Sequence, residues 1–376
     1  MHTFKTVSDI RIAPGGAAKL DLFVEGLSAN KRIAIVTDKG VHELGLMDSG
    51  LAALDAAGFD VKVFDQVIAD PPDSIVLEIA DGIREFDAGL IIGFGGGSPM
   101  DTAKIAAHLA GCEQPLETMY GVGNAKGPNL PLLLIPTTSG TGSEVTNVAI
   151  LTTGKTAKKG VVADSLYADR VLLDAELTLG LPAHITASTG IDAMVHAIEA
   201  YTSIRLKNPM SDALALTALR KLKNNIVQAV NEPADVEARN EMLIGAMIAG
   251  QAFSNAPCAA VHALAYPLGG FFHVPHGLSN ALVLTEVMKY NQPKADHWYA
   301  EIASDLGVGQ SGTSLVDEML RLKELTRVPK TLTEVNIPGD AIVMMADDAM
   351  TKDRLLMNNA REITHDAVVK IYETIL

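Results

Sequence analysis

Two kinds of hydrophobic patterning divide the chain. In the first half, short apolar runs rich in β-branched residues alternate with stretches of helical period. Residues 32–37 form such a run, closed by Asp38, Lys39 and Gly40. Residues 61–64 form another, behind an Ala/Leu-rich helical stretch at 49–57. The segment 70–74, with two prolines, reads as a stop followed by a helix N-cap, and a helix is predicted over 75–85. Residues 90–94 and 132–136 are continuously apolar, as strands covered on both faces are. Further strand-like runs lie at 147–152 and 170–173. Strand and helix alternating at this spacing predict βαβ units and a mostly parallel sheet. Beyond Leu181 and Pro182 helical period takes over, at 188–201, 209–230, 235–253 and 258–268, then in shorter helices to the end. The expected organisation is an α/β domain over residues 1–180 and an all-helical domain over 181–376.

Composition narrows the partners. Hydrophobic residues make up 48% and charged residues 20% of the 376, enough apolar surface for buried cores. Lys and Arg number 30 against 45 Asp and Glu, a net charge of −15. Nucleic-acid backbones and anionic membranes both reward positive charge, so neither is expected as the main partner. A small anion held by backbone amides is not excluded by that balance. The two cysteines, Cys112 and Cys258, are too few for a disulfide framework or a thiolate zinc site, and read as reduced thiols of a cytoplasmic protein. No apolar run approaches the roughly 18 residues of a membrane span, and residues 1–6 begin no secretory leader pattern.

Candidate chemistry lies first in two loops. Gly93-Phe94-Gly95-Gly96-Gly97-Ser98-Pro99-Met100-Asp101 follows a predicted strand and precedes a helix expected over 102–110. Such glycines let backbone amides approach a phosphate at a helix N-terminus; a tight strand–helix turn would use the same residues. Ser98 stands where a GxGxxG fingerprint has its third glycine, so an ordinary Rossmann motif is not implied. Residues 136–144, with Thr137, Thr138, Ser139, Gly140, Thr141, Gly142 and Ser143, again follow a buried strand and crowd small donors together. Both loops fall at carboxyl ends of parallel strands, where α/β sheets bind ligands. Asp38, at the end of an earlier strand, suits the ribose hydroxyls of NAD and would repel the 2′-phosphate of NADP; alone, it would equally serve as an N-cap.

The histidines are the second source. Five of the ten lie between residues 184 and 276. Asp192 and His196 are spaced i, i+4 in an apolar helical stretch, so both face one way, inward. His262 lies in an equally apolar stretch, and His276, after Pro275 and before Gly277, starts a helix. Singly, each reads as a hydrogen-bonded core residue or a buried Asp–His pair. Together, one carboxylate and three imidazoles make an N3O set for a divalent metal.

With these motifs in order, the chain resembles the iron-containing (group III) alcohol dehydrogenases. The resemblance rests on Gly96, Gly97 and Ser98 with Asp101 and Lys104, on residues 137–144, on the Gly190-to-Glu199 segment, and on His262 with Pro275-His276-Gly277. It implies an N-terminal Rossmann-like dinucleotide-binding domain and an all-α C-terminal metal-binding domain, related to dehydroquinate synthase and glycerol dehydrogenase. It places the metal, Fe2+ or Zn2+, on Asp192, His196, His262 and His276. It places NAD on Asp38, Gly95, Gly96, Gly97, Ser98, Asp101, Thr137 and Thr138, with Lys159 reaching toward the cofactor. The implied activity is hydride transfer between a metal-held primary alcohol or aldehyde and NAD(H), in a homodimer. Where many members carry a histidine four residues after the third ligand, this chain has Tyr266; Tyr266 and His273 are the candidates for a proton relay. Phe253, Phe271 and Phe272 are candidate walls of an apolar pocket, a role they share with core packing. The rival readings are a hydroxyacid–oxoacid transhydrogenase or another reaction of the dehydroquinate synthase-like superfamily, and, outside enzymes, a nucleotide-binding regulatory protein.

Overall fold

A computed structural model describes residues 3–28, 30–154 and 157–376; the first two residues of the segment read above for a leader lie outside the described residues. The chain divides into two units, each with its own internal contacts. One comprises Thr6–Thr138 and Gly142–Gly180; the other comprises Leu181–Leu376, Ser139–Thr141 and the N-terminal stretch through Lys5.

The described residues of the first unit form nine strands: β1 (Ile10–Ile12), β2 (Arg32–Asp38), β3 (Asp60–Val67), β4 (Leu90–Gly95), β5 (Gly121–Val122), β6 (Leu132–Pro136), β7 (Val148–Thr153), β8 (Ala157–Val162) and β9 (Arg170–Leu173). Six of them form one sheet in the order β1-β9-β6-β4-β2-β3, and all its pairings are parallel. The apolar runs of β4 and β6 explain their central places, since every residue of both is buried. Helices α1 (Leu20–Val24), α2 (Lys39–Glu43), α3 (Asp48–Ala56), α4 (Asp73–Phe86) and α5 (Gly97–Gly111) belong to this unit. The chain runs from β2 outward to β3, then returns to β4 on the other side of β2. The carboxyl ends of β2 and β4 therefore flank a switch in strand order, where such sheets take ligands. A second sheet, β5-β8-β7, pairs β7 with β8 antiparallel. It takes in the run expected at 147–152, together with β8, which Lys158, Lys159 and Gly160 conceal in the sequence.

The second unit is helical: α6 (Ala183–Thr202), α7 (Pro209–Asn231), α8 (Val236–Asn255), α9 (Ala260–Phe272), α10 (His276–Asp305), α11 (Gly312–Leu325), α12 (Ile342–Ala349), α13 (Asp353–Leu356) and α14 (His365–Thr374). Local signals set several ends. Asn208 caps α7 through a reciprocal box with Ser211, Pro209 opening the helix, and Asp235 caps α8 through Ala238 N–H. Helix α6 is the buried centre of this unit, every residue from Gly190 through Thr202 being buried. One expectation needs correction. The helices after residue 268 are not all short: α10 has 30 residues and carries Pro293 inside it. Its polar interior positions weaken the apolar period that would have announced a single long helix.

Candidate metal centre and dinucleotide loops

Helix α6 presents Asp192, His196 and Glu199 at i, i+4 and i+7, one face of a buried helix. Helix α9 adds His262 from its first turn, and α10 begins at His276. The donor atoms of Asp192, His196, His262 and His276 all lie within 4.8 Å of one another. His196 Nε2 faces His262 Nε2 at 3.0 Å, and His276 Nε2 lies 3.9 Å from Asp192 Oδ1. On a tetrahedral ion with bonds of roughly 2.0–2.1 Å, neighbouring donors are about 3.3–3.4 Å apart, which those two separations bracket. Asp192, His196 and His262 are buried, whereas the His276 side chain is 32% exposed and keeps one side of the cluster open.

Electrostatics agree with a cation at this point. Burial pushes the His196 imidazole down to about 3, helped by the neighbouring His262 and His276, so it is neutral with a lone pair to offer. Burial works against charge on Asp192 too, yet the three imidazoles and Asn280 hold its carboxyl below the usual range. Against burial, which lowers it, Cys258 and Glu199 hold the His262 imidazole well above its ordinary value, so without an ion its Nε2–H donates to His196 Nε2, and a divalent cation takes the place of that proton. The residues present fit a divalent transition metal.

Three residues of this centre are absent from the sequence-based ligand set. Glu199 accepts the backbone N–H of Val261 on Oε1 at 2.7 Å and the His262 Nδ1–H on Oε2 at 2.6 Å. That bond fixes the His262 tautomer, leaving Nε2 free as a ligand atom. Cys258, four residues before His262 and ahead of α9, lies in the same buried group with Glu199. Asn280, one turn after His276, donates from Nδ2 to Asp192 Oδ1 at 2.6 Å. For Glu199 and Asn280 the signal is an i+3 or i+4 offset from a ligand, from His196 and from His276.

Among the other candidates in this unit, Phe253 stacks on the His196 ring with centroids 4.3 Å apart. The Tyr266 ring centroid lies 6.3 Å from that of His276. His273 is exposed and ends α9 in the left-handed conformation, φ 56°, outside the ligand cluster. Phe271 and Phe272 are half-buried, Phe272 against the helical core.

The α/β unit gathers its candidates where β2, β4 and β6 end. Asp38 ends β2 and caps α2, its carboxylate accepting Val41 N–H at 3.0 Å. It also borders the glycine loop: a Cβ on Gly95 would lie 3.5 Å from Asp38 Oδ2 and 2.7 Å from Pro99 Cγ, and φ at Gly95 is +148°. Helix α5 starts at Gly97 rather than at residue 102, with Gly96 as its N-cap and no capping side chain. Amide donors of its first turn are thus left for an anion. Its axis comes close to β4 because Gly93 lacks a side chain, a Cβ there falling 2.8 Å from Ala103 Cβ and 2.6 Å from Leu134 Cδ2. Thr137 N–H donates to Gly95 O at 3.0 Å, tying the β6 loop to the β4 loop, and Thr138 Oγ1 lies beside Gly96.

Asp101 and Lys159 stand apart from that group in their contacts. Asp101 accepts Ser143 Oγ–H at 2.5 Å and Ile150 N–H at 2.9 Å. Lys104, fully buried, lies 3.6 Å from Asp101 and donates to Ser143 Oγ, Thr146 Oγ1 and Val148 O. Burial drives Asp101 up and Lys104 down, while their mutual attraction opposes both. This network pins the 143–148 segment from beneath. Lys159 is exposed on β8, its ammonium 5.5 Å from the centroid of the Tyr120 ring.

Comparison with known proteins supplies the family. A model described as iron-containing alcohol dehydrogenase matches residues 8–175, and one described as the C-terminal region of the Fe-containing alcohol dehydrogenase family matches residues 186–376. Long-chain-alcohol dehydrogenase 1 of Geobacillus thermodenitrificans (strain NG80-2) is 40% identical over 357 residues, 91% of this chain and 89% of that protein. The crystal structure of a 1,3-propanediol oxidoreductase is similar with a TM-score of 0.95 at 32% identity, covering 100% of both chains. That of a sulfoacetaldehyde reductase from Bifidobacterium kashiwanohense, in complex with NAD+, has a TM-score of 0.89 at 29% identity, over 100% of this chain and 98% of that one. With both halves of the sequence matched, the chain belongs to the iron-containing alcohol dehydrogenase family.

Proposed function

We propose that this chain interconverts a primary alcohol and its aldehyde with NAD(H), using Fe2+ (or Zn2+) held by Asp192, His196, His262 and His276. The observation that carries the reading is the convergence of those four donor atoms within 4.8 Å, in a chain of this family. The bound ion supplies Lewis acidity, which lowers the pKa of an alcohol hydroxyl and polarises an aldehyde carbonyl, while NAD accepts or gives the hydride.

The chain's own residues have distinct parts in this reading. Asp38 accepts hydrogen bonds from ribose hydroxyls and disfavours a 2′-phosphate. The amides of Gly95, Gly96, Gly97 and Ser98, at the start of α5, take the diphosphate. Thr137 and Thr138 add hydroxyl donors, and Asp101, bonded as it is to Ser143, holds that loop rather than the cofactor directly. Phe253 covers the His196 ring and keeps water from that side. Tyr266, its ring centroid 6.3 Å from that of His276, is the better placed of the two proton-relay candidates. His273 and Lys159, both exposed, have weaker claims to the proton path and the cofactor.

The division of labour follows the sequence, with 1–180 binding the dinucleotide and 181–376 the metal. We extend the proposal to a homodimer, supported by the open edge of β1, which pairs in the main sheet only with β9. Cytoplasmic residence is supported by two free thiols, Cys112 and Cys258. Among the described residues no helix is long and apolar enough to cross a membrane.

The deciding experiment measures bound metal and NADH formation together over short, long and diol substrates. His262→Ala should lose metal and turnover while still binding NADH. Full turnover with unchanged metal content in that variant would remove His262 from the ligand set. Sedimentation at assay concentration tests the dimer.

A further inference from the structure

We propose that Asn280 is the positioning residue of the carboxylate ligand: its amide nitrogen holds Asp192 Oδ1 and so fixes the orientation in which the carboxylate meets the ion. The inference rests on the reading above, in which Asp192 is a metal ligand. Asn280 lies on α10 one turn past His276, so the two share a helix face. Its Nδ2 is 2.6 Å from Asp192 Oδ1 and 3.2 Å from His276 Nε2, whereas those two atoms are 3.9 Å apart. The amide nitrogen therefore holds the carboxylate, while the single lone pair of His276 Nε2 is left to the ion.

The cost of that arrangement identifies its purpose. Asn280 is completely buried, and its Oδ1 has no hydrogen-bond partner among the described residues. Turning the amide over would set that oxygen against the Asp192 carboxylate, acceptor facing acceptor. The side chain thus leaves a buried carbonyl unsatisfied in order to aim its donor at Asp192. A packing role would be better met by an apolar residue of similar size, which strands no acceptor.

Three imidazoles and a carboxylate make a shell suited to transition ions and unlike the six or more oxygens that Ca2+ takes. Without Asn280, the carboxylate loses the bond that fixes its rotation. The position thereby tunes how tightly the ion is held.

The test uses full-length enzyme stripped of metal, titrated with Co2+ in competition with a chromophoric chelator. Wild type is compared with Asn280→Ala, which removes the amide, and with Asn280→Leu, which removes the donor and the stranded acceptor while keeping the volume. Both variants should bind Co2+ about 10–100-fold more weakly, the range for losing an outer-shell partner. Both should also change the visible d–d absorption, because the carboxylate is no longer held in one orientation. Metal-free Asn280→Leu should melt no lower than metal-free wild type, whereas a purely structural asparagine predicts a lower melting point. Wild-type affinity and spectrum in folded Asn280→Leu would overturn the proposal while leaving the ligand set intact. Undiminished Co2+ binding by Asp192→Ala would instead overturn the ligand assignment, and this inference with it.

Discussion

Replacing Glu199 by glutamine tests how the metal centre is prepared. The side chain makes two bonds, from Val261 N–H at 2.7 Å and from His262 Nδ1–H at 2.6 Å, in a buried setting. Glutamine has nearly the same shape but only one acceptor. If its oxygen takes Val261 N–H, its NH2 faces His262 Nδ1 and requires an acceptor there. The imidazole proton must then sit on Nε2, the atom 3.0 Å from His196 Nε2, and a protonated Nε2 cannot bind an ion. If the amide is reversed, its NH2 meets Val261 N–H donor to donor, which strands a buried group. Outer-shell losses of this kind weaken metal binding by about 10–100-fold, which is about 1.4–2.8 kcal/mol. The measurement is a Zn2+ titration of metal-free enzyme against a competing chelator, with NADH binding followed by fluorescence. Glu199→Gln should bind Zn2+ at least as weakly as Glu199→Ala, with turnover reduced and NADH affinity kept. A glutamine variant with wild-type Zn2+ affinity would refute the tautomer argument, because the isostere would then have done the same work without the charge.

Three further outcomes can be stated. Burial raises the Glu144 carboxyl from its ordinary 4.5 to about 7, so the native state binds more protons than the unfolded chain in that window and stability falls as pH rises through it. Glu144→Gln should therefore match wild type near pH 4 and exceed it above pH 7, by up to about 3 kcal/mol; parallel melting curves at all pH values would contradict this. Gly93→Ala sets a Cβ 2.6 Å from Leu134 Cδ2 and should cost about 1–3 kcal/mol of overpacking in denaturant titrations, and a neutral result would mean that α5 has room to move. Asp38→Asn keeps the cap on α2 but removes the charge, so the NADP-to-NAD ratio of kcat/KM should rise by about tenfold or more, given repulsion of about 4 kcal/mol between like charges 4 Å apart at an effective dielectric of 20. An unchanged ratio would mean that the 2′-phosphate is excluded by something other than Asp38.

Much of this architecture was legible where local chemistry is strong. The unbroken apolar runs of β4 and β6 and the buried period of α6 announce their places, because burial on all sides leaves no polar positions to blur the pattern. The spacing of Asp192 and His196 likewise shows as two polar side chains on an otherwise apolar helix. Glu199 sits on that same face, yet its partners, His262 and Val261, lie more than 60 residues downstream. Pattern along the chain does not report such a bond. Helix α5 was expected over 102–110, with Pro99 suited to its first turn; it starts at Gly97, two residues before that proline, where glycine and serine give no apolar period to read. Strands β1 and β5, of three and two residues, are too short to carry a period at all.

The pairing of β1 has a consequence for how the chain is made. Ile10 registers with Val171, and Arg170 reaches back to the Asp9 carboxylate at 2.6 Å, so the edge strand is completed by residues made 161 positions later. At about 5–20 residues per second of synthesis, β1 waits on the order of 10–30 s for its template to leave the ribosome. During that interval the sheet can grow from β2, β3 and β4, whose pairings close sooner, while β9 cannot yet offer its edge. The last ladder to form thus joins the beginning of the α/β unit to its end, and a nascent chain arrested before residue 170 carries β1 as an unpaired strand available to any other exposed edge.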